Sequence, residues 1–305
     1  MVRLFPVSTS VTCFFALTLF GMCQDESGLS LMETTWANSE AIHNYDVSYK
    51  HWQGFSPSEP WSEDFSEHTE CVTIGRVVVD RKTERIFFVR EMILDLATKQ
   101  KKKIDCFTWT KGVAKAYSKD SPRPYTTKLD FVKFNARYQV PIVELTLARF
   151  PCTLAKANLE EIHNDSSLLY QNSRCIRYPD GSARVSAFRE STHLQMDVIF
   201  DPASSMPTSF VMSECDPKSH TVIRKLLKGS PRFEKVKEIY RIASITYDRP
   251  EYAGQNLTLQ SVGTCDFTWH QFNEELIQFP IFEDGLFDIA EAERFLRQGN
   301  VEQGK

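Results

Sequence analysis

The residues of this chain that could do chemistry are seven histidines, eight cysteines and a few adjacent acid pairs. A thiol nucleophile needs a base beside it, and a zinc site needs ligands at short spacings such as Cys-x-x-Cys or His-x-x-x-His. Neither spacing occurs. His51 falls on the same alternating face as Tyr45 and Tyr49, which is the placement of a structural histidine with satisfied nitrogens. His193 and His220 fall at strand edges or turns and are expected in solvent. The pairs Glu160-Glu161 and Glu274-Glu275 lie on polar stretches, and adjacent carboxylates rarely face one site. There is no Gly-rich phosphate loop, no Gly-x-Ser-x-Gly elbow and no His-Glu-x-x-His. The expectation is therefore no catalytic, cofactor or metal residue, and a protein that is not an enzyme. A secreted hydrolase is kept as the third-ranked alternative.

Cys13 and Cys23 sit in the first 23 residues, which leaves Cys71, Cys106, Cys152, Cys175, Cys215 and Cys265. Six cysteines allow 15 pairings, and the wide spacings choose none of them. Disulfides and buried free thiols both stay open. The formal net charge of −4 argues against a nucleic-acid partner, which demands a basic face. Lys99-Gln-Lys-Lys-Lys103 is read as a solvated hairpin tip.

The elements that would hold these residues begin after a leader. Arg3 precedes an apolar run from Leu4 through Phe20, followed by Gly21-Met22-Cys23 and then acids, the layout of a secretory signal peptide. Pro6 and several Ser and Thr make the run a poor membrane span. A lipid-anchored cysteine would want a small residue where Met22 stands, so cleavage after Cys23 fits better. The reading is residues 1–23 as signal peptide, 24–283 as one β-rich domain and 284–305 as a C-terminal helix and tail. It implies a secreted or periplasmic protein with no integral membrane span after cleavage. Asn164-Asp-Ser166 and Asn256-Leu-Thr258 match the glycosylation sequon, which only a eukaryotic secretory route would use.

Ser30-Leu-Met-Glu33 has the capping-box pattern and predicts a short helix to about His43. Tyr45, Val47, Tyr49 and His51 alternate with polar residues, predicting a half-buried strand. Residues 54–67 read as loop. Cys71–Val79 and Arg85–Leu94 flank a polar turn and form a hairpin. The second arm is apolar on both faces, so both faces must be covered. Lys103–Trp109 and Val113–Tyr117 continue the meander, and residues 119–125, with two prolines, read as loop. Asp130–Phe134 reads as strand and Leu154–His163 as a short helix. The Pro179-Asp-Gly181 turn joins Ser173–Tyr178 to Arg184–Phe188. Leu194–Phe200 and Thr208–Cys215, then Lys235–Asp248 and Asn256–Val262, form further pairs, the last around Arg249-Pro250. Thr264–Trp269 closes the strands. Asp288, Glu291, Arg297 and Gly299 mark a final helix.

The chain carries 22 Phe, 10 Tyr and 5 Trp, many within the strands. They either fill an ordinary core or line an apolar cavity in a strongly curved sheet. Tyr45-Asp-Val-Ser-Tyr49, the turn at Met206-Pro207 and the closing Asp266-Phe-Thr-Trp-His-Gln-Phe-Asn-Glu274 complete a helix–meander–helix–meander order. That order resembles the LolA/LolB/LppX-type bacterial outer-membrane lipoprotein carriers over most of residues 30–282. The resemblance implies an α+β, mostly β fold: a large curved antiparallel sheet, a half-barrel, wrapped around a few helices with a C-terminal helix. It also implies a lipid or acyl-chain ligand in the half-barrel cavity. The alternative is an envelope interaction or scaffold module with a filled core and a protein partner. No one arginine matches the carriers' functional arginine, so no site residue is carried over.

Overall fold

A computed structural model describes residues 28–57, 70–95, 101–118, 121–129, 173–190, 192–253, 256–274, 279 and 289–298. Within them the protein is mostly β, one large, open, curved antiparallel sheet with two helices. The first meander comprises β1 (Asn44–Pro57), β2 (Glu70–Asp80), β3 (Arg85–Asp95), β4 (Lys101–Thr110), β5 (Val113–Ser118) and β6 (Ser121–Lys128). The second comprises β7 (Arg174–Arg177), β8 (Ala183–Arg189), β9 (Leu194–Phe200), β10 (Pro207–Cys215), β11 (Val222–Val236), β12 (Ile239–Ala253) and β13 (Asn256–Phe272). Helices α1 (Gly28–Glu40) and α2 (Ile289–Gln298) flank them.

The spatial order is β6-β5-β4-β3-β2-β1-β13-β12-β11-β10-β9-β8-β7. Each strand neighbours its predecessor in sequence except β7, which lies at the edge opposite β6, and the two runs join where β1 meets β13 at the middle. Because every pairing is antiparallel, β6 and β7 run in the same direction at the two opposite edges. The start of β1 and the β2–β3, β4–β5, β7–β8, β9–β10 and β11–β12 turns therefore share one end of the sheet.

Helix α1 sits at that end. Asn38 Nδ2 donates to the Tyr240 carbonyl (2.6 Å), and its Oδ1 accepts from the Tyr240 amide (2.7 Å). Asn273, in the left-handed region at φ 53°, accepts from the His43 amide (2.7 Å) and donates to the Ala41 carbonyl (2.6 Å). Leu31 and Met32 of α1 join one continuous apolar cluster on the inner face that includes Tyr45, Val47, Val77, Phe88, Trp109, Val185, Phe200 and Ile242. The expected capping box is displaced. Ser30 lies inside α1, where its carbonyl already accepts from the Thr34 hydroxyl (3.1 Å).

The outer face is covered beside β2–β5. There Ala292, Phe295 and Leu296, at i, i+3 and i+4 spacing, put α2 against Val78, Phe87, Val89 and Cys106. That is the cover the two-faced pattern of β3 required: Phe88 faces inward at 0% exposure and Phe87 outward at 2%. β1 is likewise buried on both faces rather than half-buried, since Asp46 and Ser48 are as covered as Tyr45 and Val47.

The hairpins around Asp80–Glu84 and Pro179-Asp-Gly181 form as expected, the second with Gly181 at φ 86°. Elsewhere strands extend beyond their sequence signals. β1 continues to Pro57, and Lys101–Lys103 belong to β4, opposite Leu94, Ile93 and Met92, rather than to a hairpin tip. Residues 121–128 are strand despite Pro122 and Pro124, because β6 ends the strand order and a proline at an edge removes no ladder bond from a further neighbour. Lys235–Asp248 is not one strand. Lys237, at φ 57°, turns β11 into β12, and Arg249-Pro250 lies within β12. Thr264–Trp269 is the second half of a single long strand begun at Asn256. Asp130–Phe134, Leu154–His163, Cys152, Asn164 and the signal segment lie outside the described residues, and Asn256 opens β13.

Candidate functional site

Side chains of β1 that face inward lose their cover with distance from α1. Tyr45 and Val47 are 0% exposed and Tyr49 6%, while His51 is half-buried. The neighbours change at adjacent rungs: on β12 Ile245 at 9%, level with His51, gives way to half-buried Tyr247, and on β3 Phe88 at 0% gives way to half-buried Arg90, level with Tyr49. The boundary is a belt of polar groups. His51 Nε2 lies 2.7 Å from the Tyr247 hydroxyl, with ring centroids 5.7 Å apart. Arg90 pairs with Asp105 at 3.3 Å, below the Phe88 and Phe107 rings, whose centroids are 5.8 and 5.6 Å from the guanidinium.

Two glycines let the tyrosines lie flat. A Cβ at Gly75 would fall 2.3 Å from the Tyr49 ring, and one at Gly263 would fall 2.3 Å from the Tyr247 ring. Only a residue without a side chain permits that approach.

Burial sets the protonation states in the belt. It lowers the His51 pKa, leaving a neutral imidazole. It raises Tyr49, against the opposing pull of the Arg90 charge. It pushes the Cys265 thiol up to about 12, with Asp266 adding to the shift. A thiol so high stays protonated and is a poor nucleophile. Within the belt Arg90 pairs with Asp105, and His51 and Tyr247 add neutral hydrogen-bonding groups.

A second polar pair lies on the other face. His270 is the extra residue of a bulge in β13, between Trp269 opposite Val47 and Gln271 opposite Asp46. Its Nε2 is 2.8 Å from Ser48 Oγ, and Ser48 is 1% exposed. So complete a burial keeps the hydroxyl away from solvent, where a substrate would have to approach.

Of the histidines weighed from sequence, His51 has its Nε2 satisfied, as expected. His220 is exposed as expected, whereas His193 is half-buried. His220 stacks on Phe188 (4.3 Å) and lies 3.6 Å from Glu190, and His193 Nδ1 is shielded with no hydrogen-bond partner among the described residues. Cys106, Cys175, Cys215 and Cys265 are free thiols dispersed over the sheet. Among the described residues no cluster of three His, Cys, Asp or Glu side chains could hold a metal ion. A shallow cavity of about 410 Å³ opens between α1, at Ser30 and Thr34, and the turns bearing Arg177 and Asp201. Its polar rim does not suit an apolar chain. Among the described residues no helix is long and apolar enough to cross a membrane.

No protein-family model matches the chain, and no curated protein is similar to it in sequence. Among solved structures it is similar to a DUF1329 family protein from Desulfovibrio piger, at 8% identity and a TM-score of 0.40, covering 83% of this chain and 95% of that one. It is also similar to a β-barrel-like protein of domain of unknown function DUF1849 from Brucella abortus (9%, TM-score 0.29, 75% and 100%). A third likeness is to lipovitellin, solved in a study of lipid–protein interactions (9%, TM-score 0.28, 78% and 26%). At these values the likenesses assign neither a family nor an activity.

Proposed function

We propose that the protein is a non-enzymatic binder of an apolar ligand, a lipid or acyl chain, held against the inner face of the half-barrel beyond the His51 level. The observation that carries this reading is the loss of cover along β1, from Tyr45 at 0% to half-buried His51, on a face that is apolar on one side of the belt. Geometry supports it: eight strands enclose a space that side chains fill, and wider sheets leave room for a ligand. Among the described residues this sheet has thirteen strands. The leader at residues 1–23 supports cleavage after Cys23 and a secreted or periplasmic location. With residues 24–283 as one β-rich domain and 284–305 as a helical tail, the reading is that of a protein similar in design to the lipoprotein carriers.

Native mass spectrometry of the full chain, followed by solvent extraction, tests the proposal. A co-purifying lipid, or stoichiometric uptake of a long-chain lipid by stripped protein, is expected. Protein that is empty and takes up nothing would overturn it.

The second reading is an interaction module. It is favoured by the complete packing of Tyr45, Phe88 and Phe200 near α1, which shows that much of the aromatic content is ordinary core. Cross-linking in the native envelope should then recover a specific partner protein from an otherwise ligand-free chain.

A further inference from the structure

We infer that Arg249 holds the anionic head group, a carboxylate or a phosphate, of a single-chain amphiphile whose apolar chain lies along the row Leu227–Met212. This inference rests on the inner face being the lipid site and names the charge of the ligand that the site selects.

Along the inner face of β12 the side chains pass from apolar to cationic as cover is lost. Ile245 is 9% exposed, Tyr247 half-buried and Arg249 exposed. An apolar row leads away from that cation across the second meander. Lys228 stands opposite Asp248, which sets Leu227 at the level of Arg249. Leu227 is opposite Met212, and Met212 is opposite Met196. All three belong to the inner apolar cluster, yet Leu227 and Met212 are half-buried while Met196 is 4% exposed. The row is thus closed at Met196 and uncovered beside Arg249, which is the polarity of a chain with a charged end. On the α1 side of the row, Gly263 and Gly229 have no side chain, and the rings of Tyr247 and Phe210 lie over them as a smooth wall. Methionine suits such a bed, because its unbranched, polarizable side chain adapts to the shape laid against it.

Charge decides the head group. Arg249 makes no hydrogen bond or ion pair among the described residues. The next cation toward the rim, Arg224, is held by Glu214 at 2.6 Å, and Glu251 lies one step further out along β12. Arg249 is thus an unpaired cation at the uncovered end of an apolar row. Its guanidinium presents a planar fork of donors that matches the paired oxygens of a carboxylate or phosphate. A neutral head gains no ion pair there, and that difference is the source of the discrimination.

The experiment uses the full chain stripped of lipid, titrated by native mass spectrometry with palmitate, 1-palmitoyl-lysophosphatidic acid and 1-monopalmitoylglycerol. Wild-type protein should bind at least one anionic probe about tenfold tighter than the neutral one, the scale of one charge-assisted pair. Palmitate ahead of the phosphate assigns a carboxylate head, and the reverse order assigns a phosphate. Arg249→Gln changes an exposed side chain and so keeps the fold, which unchanged thermal unfolding checks. It should weaken the preferred anion about tenfold while leaving monopalmitoylglycerol within about twofold. Arg249→Glu, which reverses the charge, should weaken that anion further. Leu227→Ala should weaken all three probes by a similar factor, and no loss there overturns the placement of the chain. Equal binding of the three probes by wild-type protein, or unchanged anion affinity in Arg249→Gln, overturns the anchor; retained monopalmitoylglycerol binding then leaves the lipid reading standing. If none of the three probes binds the wild-type protein, both the lipid reading and the anchor are overturned.

Discussion

The guanidinium of Arg76 lies 3.9 Å from the ring centroid of Phe295 and donates to the carbonyl oxygen of that same residue at 2.8 Å. One side chain on β2 thus grips α2 by a ring and by a carbonyl near its C-terminal end, where the helix dipole favours a cation. Asp46 on β1 holds the other edge of the guanidinium through Nε (2.8 Å) and Nη2 (2.6 Å).

Removing Asp46 should therefore release α2 as well as destabilise the sheet. The pair is nearly buried, with side chains 11% and 5% exposed. Asp46→Ala is expected to cost roughly 3 kcal/mol by leaving a covered guanidinium unpaired. Urea denaturation gives the stability loss. Hydrogen exchange should show residues 289–298 losing protection before β2 does; simultaneous loss would contradict the grip.

Gly75→Ala should be costly for a reason confined to one ring. The added methyl would sit 2.3 Å from the Tyr49 ring, and such overpacking costs roughly 1–3 kcal/mol. Combining it with Tyr49→Leu should cost clearly less than the sum of the single changes. Thermal denaturation of the four proteins of the cycle measures the coupling, and additive losses would show that the ring and glycine are independent.

Stability should fall with acid through His51. Its pKa is depressed in the folded state, so between that value and the ordinary imidazole value of about 6.5 the unfolded chain binds a proton that the native protein refuses. The stabilising contribution is complete above the unfolded value and is lost as pH falls below it. The urea midpoint of wild-type protein should drop from pH 8 to pH 5 more than that of His51→Gln. Parallel pH profiles would remove His51 as the cause.

The thiols should differ in reactivity by position. Burial raises all three thiols, Cys106, Cys265 and Cys175, but Cys106 and Cys265 are only 0% and 8% exposed whereas Cys175 on the short strand β7 is half-buried. Alkylation at pH 8 followed by peptide mapping should label Cys175 before Cys106 and Cys265, which label only once the protein unfolds. Early labelling of Cys265 would show that the inner face opens further than the burial of Tyr49 suggests.

Where the pattern was local, the sequence was legible. Alternating Phe87 and Phe88 foretold a strand covered on both sides, and Asp180-Gly181 foretold a hairpin. β11 escaped notice because Gly229, Pro231 and its lysines mask any alternation, and Arg249-Pro250 imitates a turn while lying in strand. The belt was harder still. His51 and Tyr247 are 196 residues apart and meet only because β1 and β12 flank the same strand, β13. Read alone, His51 is a structural histidine, and nothing local to Tyr247 marks it. The Ser48–His270 pair likewise depends on a one-residue bulge that no sequence period announces.

The pairing of β1 with β13 also sets a schedule for assembly. Ribosomal synthesis delivers β1 early, yet its second neighbour is among the last strands made. Until then β1 is an exposed edge of a six-stranded half, with its unpaired backbone groups a template for other chains. The two halves are separate in sequence and meet along the β1–β13 ladder, with α1 and α2 each reaching across it, so the polypeptide is divisible. Co-expressed fragments ending after β6 and starting before β7 would have to find each other along the register of Tyr49 opposite Phe267, which makes that ladder a natural junction for a split reporter.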